Sequence, residues 1–156
     1  MPTKFLIGVL ALLPWVASGA PPGKRPVDTR ETVADPLDIP EIASARRNPL
    51  SASEDTLRVG HGLWRRHCQD CHGAEGRGDG PDARLHERRK HHAPRNLTDP
   101  NVQENLTDGD IFWRISRGII EEDNNVIMPA FEKKVPSEAD RWHLVLFVRE
   151  LGRARR

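Results

Sequence analysis

Cysteine occurs only twice in this chain, at Cys68 and Cys71, and methionine only once beyond Met1, at Met128. Two cysteines cannot build the multi-bridge framework of a small disulfide scaffold, and a zinc site would need a second ligand pair at compatible spacing. Strand-type alternation is nearly absent, so nothing indicates the βαβ core that carries a thioredoxin-like pair. Charge of one sign is not in surplus either. The 24 Lys and Arg stand against 23 Asp and Glu, and removing the first segment with its Lys4 leaves 23 against 23, a balance that speaks against nucleic acid as a partner. Apolar residues make up 37% of the chain and charged ones 30%. That is a lean supply for a self-sufficient core, and a large apolar cofactor would fill the shortfall.

The 156 residues suit one domain with appendages. Residues 1–20 combine a basic start at Lys4, an apolar stretch from Phe5 to Ala17 and a small-residue end at Ser18-Gly19-Ala20. This reads as a secretory signal cleaved after Ala20, which implies a periplasmic location. The rival reading is an uncleaved N-terminal anchor, although the stretch is shorter than the roughly 20 residues of a bilayer span and Pro14 interrupts it. Residues 21–52 are rich in proline and charge without a sustained apolar period, and are expected to form an irregular leader, either a spacer or a docking arm.

Helical signals begin at Ser53, an N-cap with Thr56 three residues on, and Leu57, Gly60, Leu63, Trp64 and Cys68 follow at helical spacing. Glycine and proline between Gly73 and Pro100 favour loops. A second helix is signalled by Thr107 with Asp110, then Ile111, Ile115 and Ile119 on one stripe and Gly118 near its end. The third starts at Pro136 and Ser137 and carries Leu144, Val148 and Leu151 on one face, with Gly152 as its stop and 153–156 as a basic tail. These elements describe an all-α domain over 53–152.

The segment Cys68-Gln69-Asp70-Cys71-His72 is C-x-x-C-H, the attachment signature for c-type haem. Residues i, i+3 and i+4 of a helical turn share a face, so both sulfurs reach the two vinyl groups while His72 points at the iron. A structural disulfide, half a zinc site and a redox dithiol are the competing readings of the pair. A haem in a carrier usually has a sixth ligand, and Met128 is the candidate. Pro129 pushes it out of helical geometry, into a loop from which its thioether projects. A lone methionine filling a core gap is the plainer alternative. Among the seven histidines, His67, His91, His92 and His143 are candidates for a bis-histidine haem or a second metal.

Gly60-x-x-Leu63-Trp64, C-x-x-C-H, Gly76-x-Gly78-Asp79-Gly80, Pro94-x-x-Leu97-Thr98, Trp113, Met128-Pro129-x-Phe131 and Trp142 occur in this order. Over about 53–152 the chain resembles a class I cytochrome c, and within that family it is most similar to the small periplasmic domains akin to the cytochrome subunits of bacterial haem-copper oxidases and dehydrogenases. The resemblance implies three to five helices around one covalently bound haem, with Gly60 and Trp64 where the first helix crosses the last. It implies that the carbonyl of Pro94 accepts a bond from His72 Nδ1, with Pro81 as the competing candidate, and that Trp113 and Arg114 lie near the haem edge or a propionate. Core packing is the alternative for Trp113. The chain departs from the pattern in the basic run from Arg84 to Arg95, which could steer an acidic partner, and before Met128, where Asn124-Asn125 replaces glycines.

The expected function is one-electron transfer through His72 and Met128 ligated haem c in a periplasmic respiratory or dehydrogenase chain, without catalysis and without a small-molecule substrate. Redox proteins, including a membrane oxidoreductase, are the expected donor and acceptor. The alternatives are a haem subunit docked permanently to a larger oxidoreductase, and an enzyme or gas sensor with five-coordinate haem.

Overall fold

A computed structural model describes residues 39–84, 93–121 and 124–154, all belonging to one compact unit that spans 33–156. The expected signal peptide, the leader as far as residue 38, the heart of the basic run at 85–92 and the last two residues of the tail lie outside the described residues. No helix among those described is long and apolar enough to cross a membrane.

The described residues form helices α1 (Glu41–Ser44), α2 (Glu54–His67), α3 (Gln69–His72), α4 (Pro100–Asn105), α5 (Asp108–Arg117) and α6 (Glu138–Arg153), with a small antiparallel pair, β1 (Ile119–Ile120) and β2 (Val126–Met128). Among the described residues α2, α5 and α6 are the three helices expected, and α1, α3 and α4 are short, of one or two turns. Each longer helix starts where the sequence places a cap. Ser53 Oγ accepts from the Thr56 N–H at 3.2 Å, and Thr56 Oγ1 accepts from the Ser53 N–H at 2.8 Å. Thr107 and Asp110 make the equivalent reciprocal pair at 3.1 and 2.8 Å.

Helices α2 and α6 cross at Gly60, where a methyl group would run into the His143 carbonyl and crowd Phe147. The close approach buries Trp64, Trp142, Leu144 and Val145 almost completely, and such tight interiors resist added volume. Arg149 on α6 knits in α4 and α5, donating to Asp108 at 2.7 Å and to the carbonyls of Gln103 and Leu106 at 2.7 and 2.6 Å.

Three boundaries differ from the sequence reading. Gly152 does not stop α6, which continues to Arg153; its bare Cα instead makes room for the Gln103 side chain, which donates to the Leu97 and Val148 carbonyls. Ile119 leaves the α5 stripe for β1 because Gly118 adopts φ +75°, a conformation that suits glycine and ends the helix. The β-branched run Ile119–Ile120 then pairs with Val126–Met128, and Asn124 takes φ +63° in the connection. The end of the supposed irregular leader is ordered. Ala43 is buried, Thr107 Oγ1 donates to the Ser44 carbonyl, Asn48 donates to the Trp142 carbonyl at 3.0 Å, and the Arg46 guanidinium lies 4.5 Å over the Phe112 ring. Residues 39–50 thus form a strap over the stacked Phe112–Trp142 pair, whose centroids are 4.1 Å apart.

Gly60→Ala should destabilise the fold by about 1–3 kcal/mol, read as a lower denaturant midpoint with unchanged slope. The carboxyl of Asp110 is pushed up by burial but pulled further down by bonds from Ser44 and Thr107 and by the charge of Arg114, so it lies below the usual aspartate range. A carboxyl with a folded pKa below its unfolded value contributes stability that is present above the unfolded value, near pH 4, and lost as pH falls through the folded one. Acid titration of the unfolding midpoint should therefore show a loss below about pH 4 that is smaller in Asp110→Asn.

Candidate functional site

The last turn of α2 delivers Cys68 as its C-cap, and α3 adds a single turn on which Cys71 and His72 follow. The His72 N–H donates to the Cys68 carbonyl at 2.9 Å, so thiols and imidazole share one rigid backbone unit. The glycine loop that follows folds back on this unit. The N–H of Gly78 donates to the His72 carbonyl at 2.8 Å, that of Gly80 to Cys71 at 3.2 Å and that of Asp82 to Asp70 at 2.8 Å. A side chain at Gly80 would collide with the Asp70 and Cys71 backbone, so the loop approaches this closely only with glycine there. Trp64 Nε1 donates to the Gly73 carbonyl at 3.2 Å and its ring lies 5.8 Å from that of His72, packed beside the imidazole.

This turn forms one wall of a cleft of about 500 Å³, within the usual size of a cofactor site. Met128 lines the same cleft from β2, held there by its pairing with Ile119 and by the tight approach of Gly118 to its carbonyl. Ile111 and Ile115 of α5 and Leu144 and Val148 of α6 supply apolar walls, while Arg95, Arg114 and Glu121 bring charge to its lining. Cys68, Cys71, His72, Pro94 and Met128 are therefore brought together. Pro94 sets its carbonyl against Gly78. Trp113 is not among the lining residues, and the Arg117 guanidinium lies 5.4 Å over its ring. Of the other histidine candidates, His67 lines the cleft, His143 sits at the α2–α6 crossing with Asp140 3.8 Å away, and His91 and His92 lie outside the described residues.

The wall contributions of Trp64 and Arg114 are the parts that sequence reasoning placed elsewhere or loosely. Trp64 was read on the stripe that ends at Cys68 and as a crossing residue, but not as part of the cleft wall, where it also stands. Arg114 sits three residues after Ile111 on the apolar stripe of α5, a spacing that marks an arginine aimed inward.

The chemistry of the donors fits haem. Burial pushes the Cys68 thiol up to about 12, helped by Cys71, and burial also raises Cys71, with Asp82 and Asp70 adding to it. An activated redox dithiol needs the opposite shift. Among the described residues no group of three or more His, Cys, Asp or Glu converges as a metal site, so the thiols and imidazole are not arranged to close on a zinc ion. Two sulfurs and an imidazole on one wall, a thioether on the lining, apolar sides and a few charges match a flat apolar macrocycle with anionic substituents. Cys68, Cys71, His72 and Met128 are the residues that would hold it.

The family described as cytochrome C oxidase, cbb3-type, subunit III matches residues 55–148. Curated proteins offer no match. Among solved structures, a chain of the reducing HAO-like protein complex of Kuenenia stuttgartiensis is similar, with 30% identity and a TM-score of 0.52 over 66% of this chain. The present chain spans only 46% of that one. The family match runs from the first turn of α2 into the last turns of α6, through the C-x-x-C-H turn, the glycine loop and Met128, and the chain accordingly belongs to this family of c-type cytochrome domains, whose work is haem-based electron transfer.

Proposed function

We propose that the chain is a one-electron carrier holding a single haem c, bonded through Cys68 and Cys71 and ligated by His72 and Met128, between redox proteins in the periplasm. The observation that carries this reading is that Met128, 56 residues beyond His72 (128 − 72), lines the cleft that the C-x-x-C-H turn faces. When bound, haem supplies the reversible ferric–ferrous couple. The residues of the chain do the rest. Two thioethers from Cys68 and Cys71 would fix the orientation of the macrocycle, and Trp64 beside His72 limits tilt of the imidazole. Ile111, Ile115, Leu144 and Val148 keep water from its faces. The soft thioether of Met128 favours the reduced form and raises the potential. In the family resemblance the Pro94 carbonyl orients His72 Nδ1, a role we carry over as part of this proposal.

Were His72 and Met128 both to hold the iron, no open position would remain for a substrate, so we read the chain as a carrier and not as an enzyme. The periplasmic location rests on the signal-like character of residues 1–20. A second reading, a haem subunit docked permanently to a larger oxidoreductase, is favoured by the likeness to part of a longer chain in a complex. Gel filtration of natively purified material separates the two, a lone monomer opposing the second.

Exported with haem-attachment machinery, the chain should gain the mass of one haem and keep its colour in acid acetone, whereas Cys68→Ala/Cys71→Ala should lose it to the solvent. Colour stripped from the unaltered chain would end the proposal. Met128→Ala should abolish the far-red charge-transfer band of the ferric protein and lower the midpoint potential with the haem still attached; persistence of that band would remove Met128 from the iron.

A further inference from the structure

Phe and Trp are few in this chain, yet four rings among the described residues join end to end. The His72 imidazole lies 5.8 Å from the Trp64 ring, that ring 5.7 Å from Phe147, and Phe147 5.1 Å from His61, centroid to centroid. Each step falls within the contact range of aromatic pairs. Burial decreases along the line: Trp64 is 1% exposed, Phe147 is half-buried and His61 is exposed. The column thus starts at the imidazole on the cleft wall and ends in a shallow groove between α2 and α6, lined by Glu54, Leu57, Arg58, His61 and Phe147. None of these groove residues lines the cleft.

The arrangement follows from the sequence. His61 and Trp64 stand three positions apart on α2 and so share a face. Phe147 reaches across both from α6 because Gly60 has no side chain; a methyl group there would come within 3.0 Å of Phe147 Cβ. Core packing accounts for Trp64 and Phe147, which belong to or rest on the buried cluster. It does not account for His61. A leucine would cover Phe147 as well, and holding an exposed imidazole within 23° of parallel to that ring costs side-chain freedom. The other stacked pair, Phe112 and Trp142, has neither ring in the cleft lining. Rings in contact couple their two ends electronically better than saturated side chains over the same span, and they do so without being oxidised or reduced themselves.

Resting on the carrier reading above, we propose that His61, Phe147 and Trp64 form an electron conduit that opens on the α2–α6 face and runs to His72, a port separate from the mouth of the cleft. One electron passes from a partner redox protein at His61 to the iron held by His72. The partner is oxidised by one unit and the iron reduced by one, with no bond made or broken and no proton moved. Arg58 in the groove is paired with Glu54 at 3.0 Å and Asp55 at 2.7 Å, so the partner is met through apolar contact and not by long-range attraction. With this second port the chain takes an electron from one protein while still seated against another.

The test uses the full haem-loaded chain carrying a ruthenium bis-bipyridine photoreductant on His61, its position confirmed by peptide mass. A flash should reduce the ferric chain in an intramolecular step whose rate does not depend on protein concentration. Phe147→Leu, which keeps apolar packing without the ring, should slow that step about fivefold or more at unchanged midpoint potential, and Phe147→Tyr should restore it to within about twofold. Phe147→Met takes the place of the leucine variant if the latter does not fold. In the unlabelled ferrous chain the His61 ring protons should resonate upfield of their position in Phe147→Leu, a shift that reads the stack without any electron transfer. Equal rates in Phe147→Leu and the unaltered chain, a Phe147→Tyr chain as slow as the leucine one, or His61 protons that stay in place would overturn the conduit while leaving haem binding untouched. A chain that holds no covalent haem fails the carrier reading itself, and acid acetone detects that separately.

Discussion

A single helical turn, Cys68 to His72, must present two sulfurs and an imidazole to one wall, and the rest of the domain is arranged to keep that turn from moving. Its backbone is bonded within itself and to the glycine loop by Gly78, Gly80 and Asp82. Trp64 ties α2 to the Gly73 carbonyl, and Gly60 allows α2 to press on α6 closely enough to hold Trp64 in place. The constraint runs from a missing side chain at Gly60, through a buried indole, to the orientation of an imidazole. Loosening any step would act on the ring that faces the cleft.

The part of the lining that carries Met128 is built on different principles. Met128 is carried by a two-strand hairpin, not by a helix, and Gly118 both ends α5 and lets the Met128 backbone close in. Strand pairing fixes which way alternate side chains point, so a hairpin of only a few residues defines the direction of the thioether with little material. The small apolar share of the sequence is concentrated in one buried cluster, whose members Ile111, Ile115, Leu144 and Val148 also line the cleft.

Helix starts were the most legible feature, because Ser53, Thr107 and Ser137 act through bonds to residues three positions away and need nothing distant. The attachment turn and Met128 were equally plain, being rare residues in local patterns. Ends were less legible. Gly152 carries the composition of a stop but serves Gln103, a contact from another helix that spacing cannot reveal. Ile119 fits the period of α5 and is taken from it by a hairpin partner nine residues on. Trp113 sits beside Arg117 and away from the cleft lining, since its neighbours in the chain, Ile111 and Ile115, take the inward face of the helix.

The strap at 39–50 changes where the domain begins. Its contacts with Phe112, Trp142, Thr107 and Asp110 lie on the flank of α5 and α6 that turns away from the residues lining the cleft. Severing the polypeptide at Ser53, the first helical cap, would bare two stacked aromatic rings and take the Ser44 bond from a buried aspartate. The unit that folds together therefore opens before α1, and its first described turn belongs to the packing of α5 and α6 as much as those helices do.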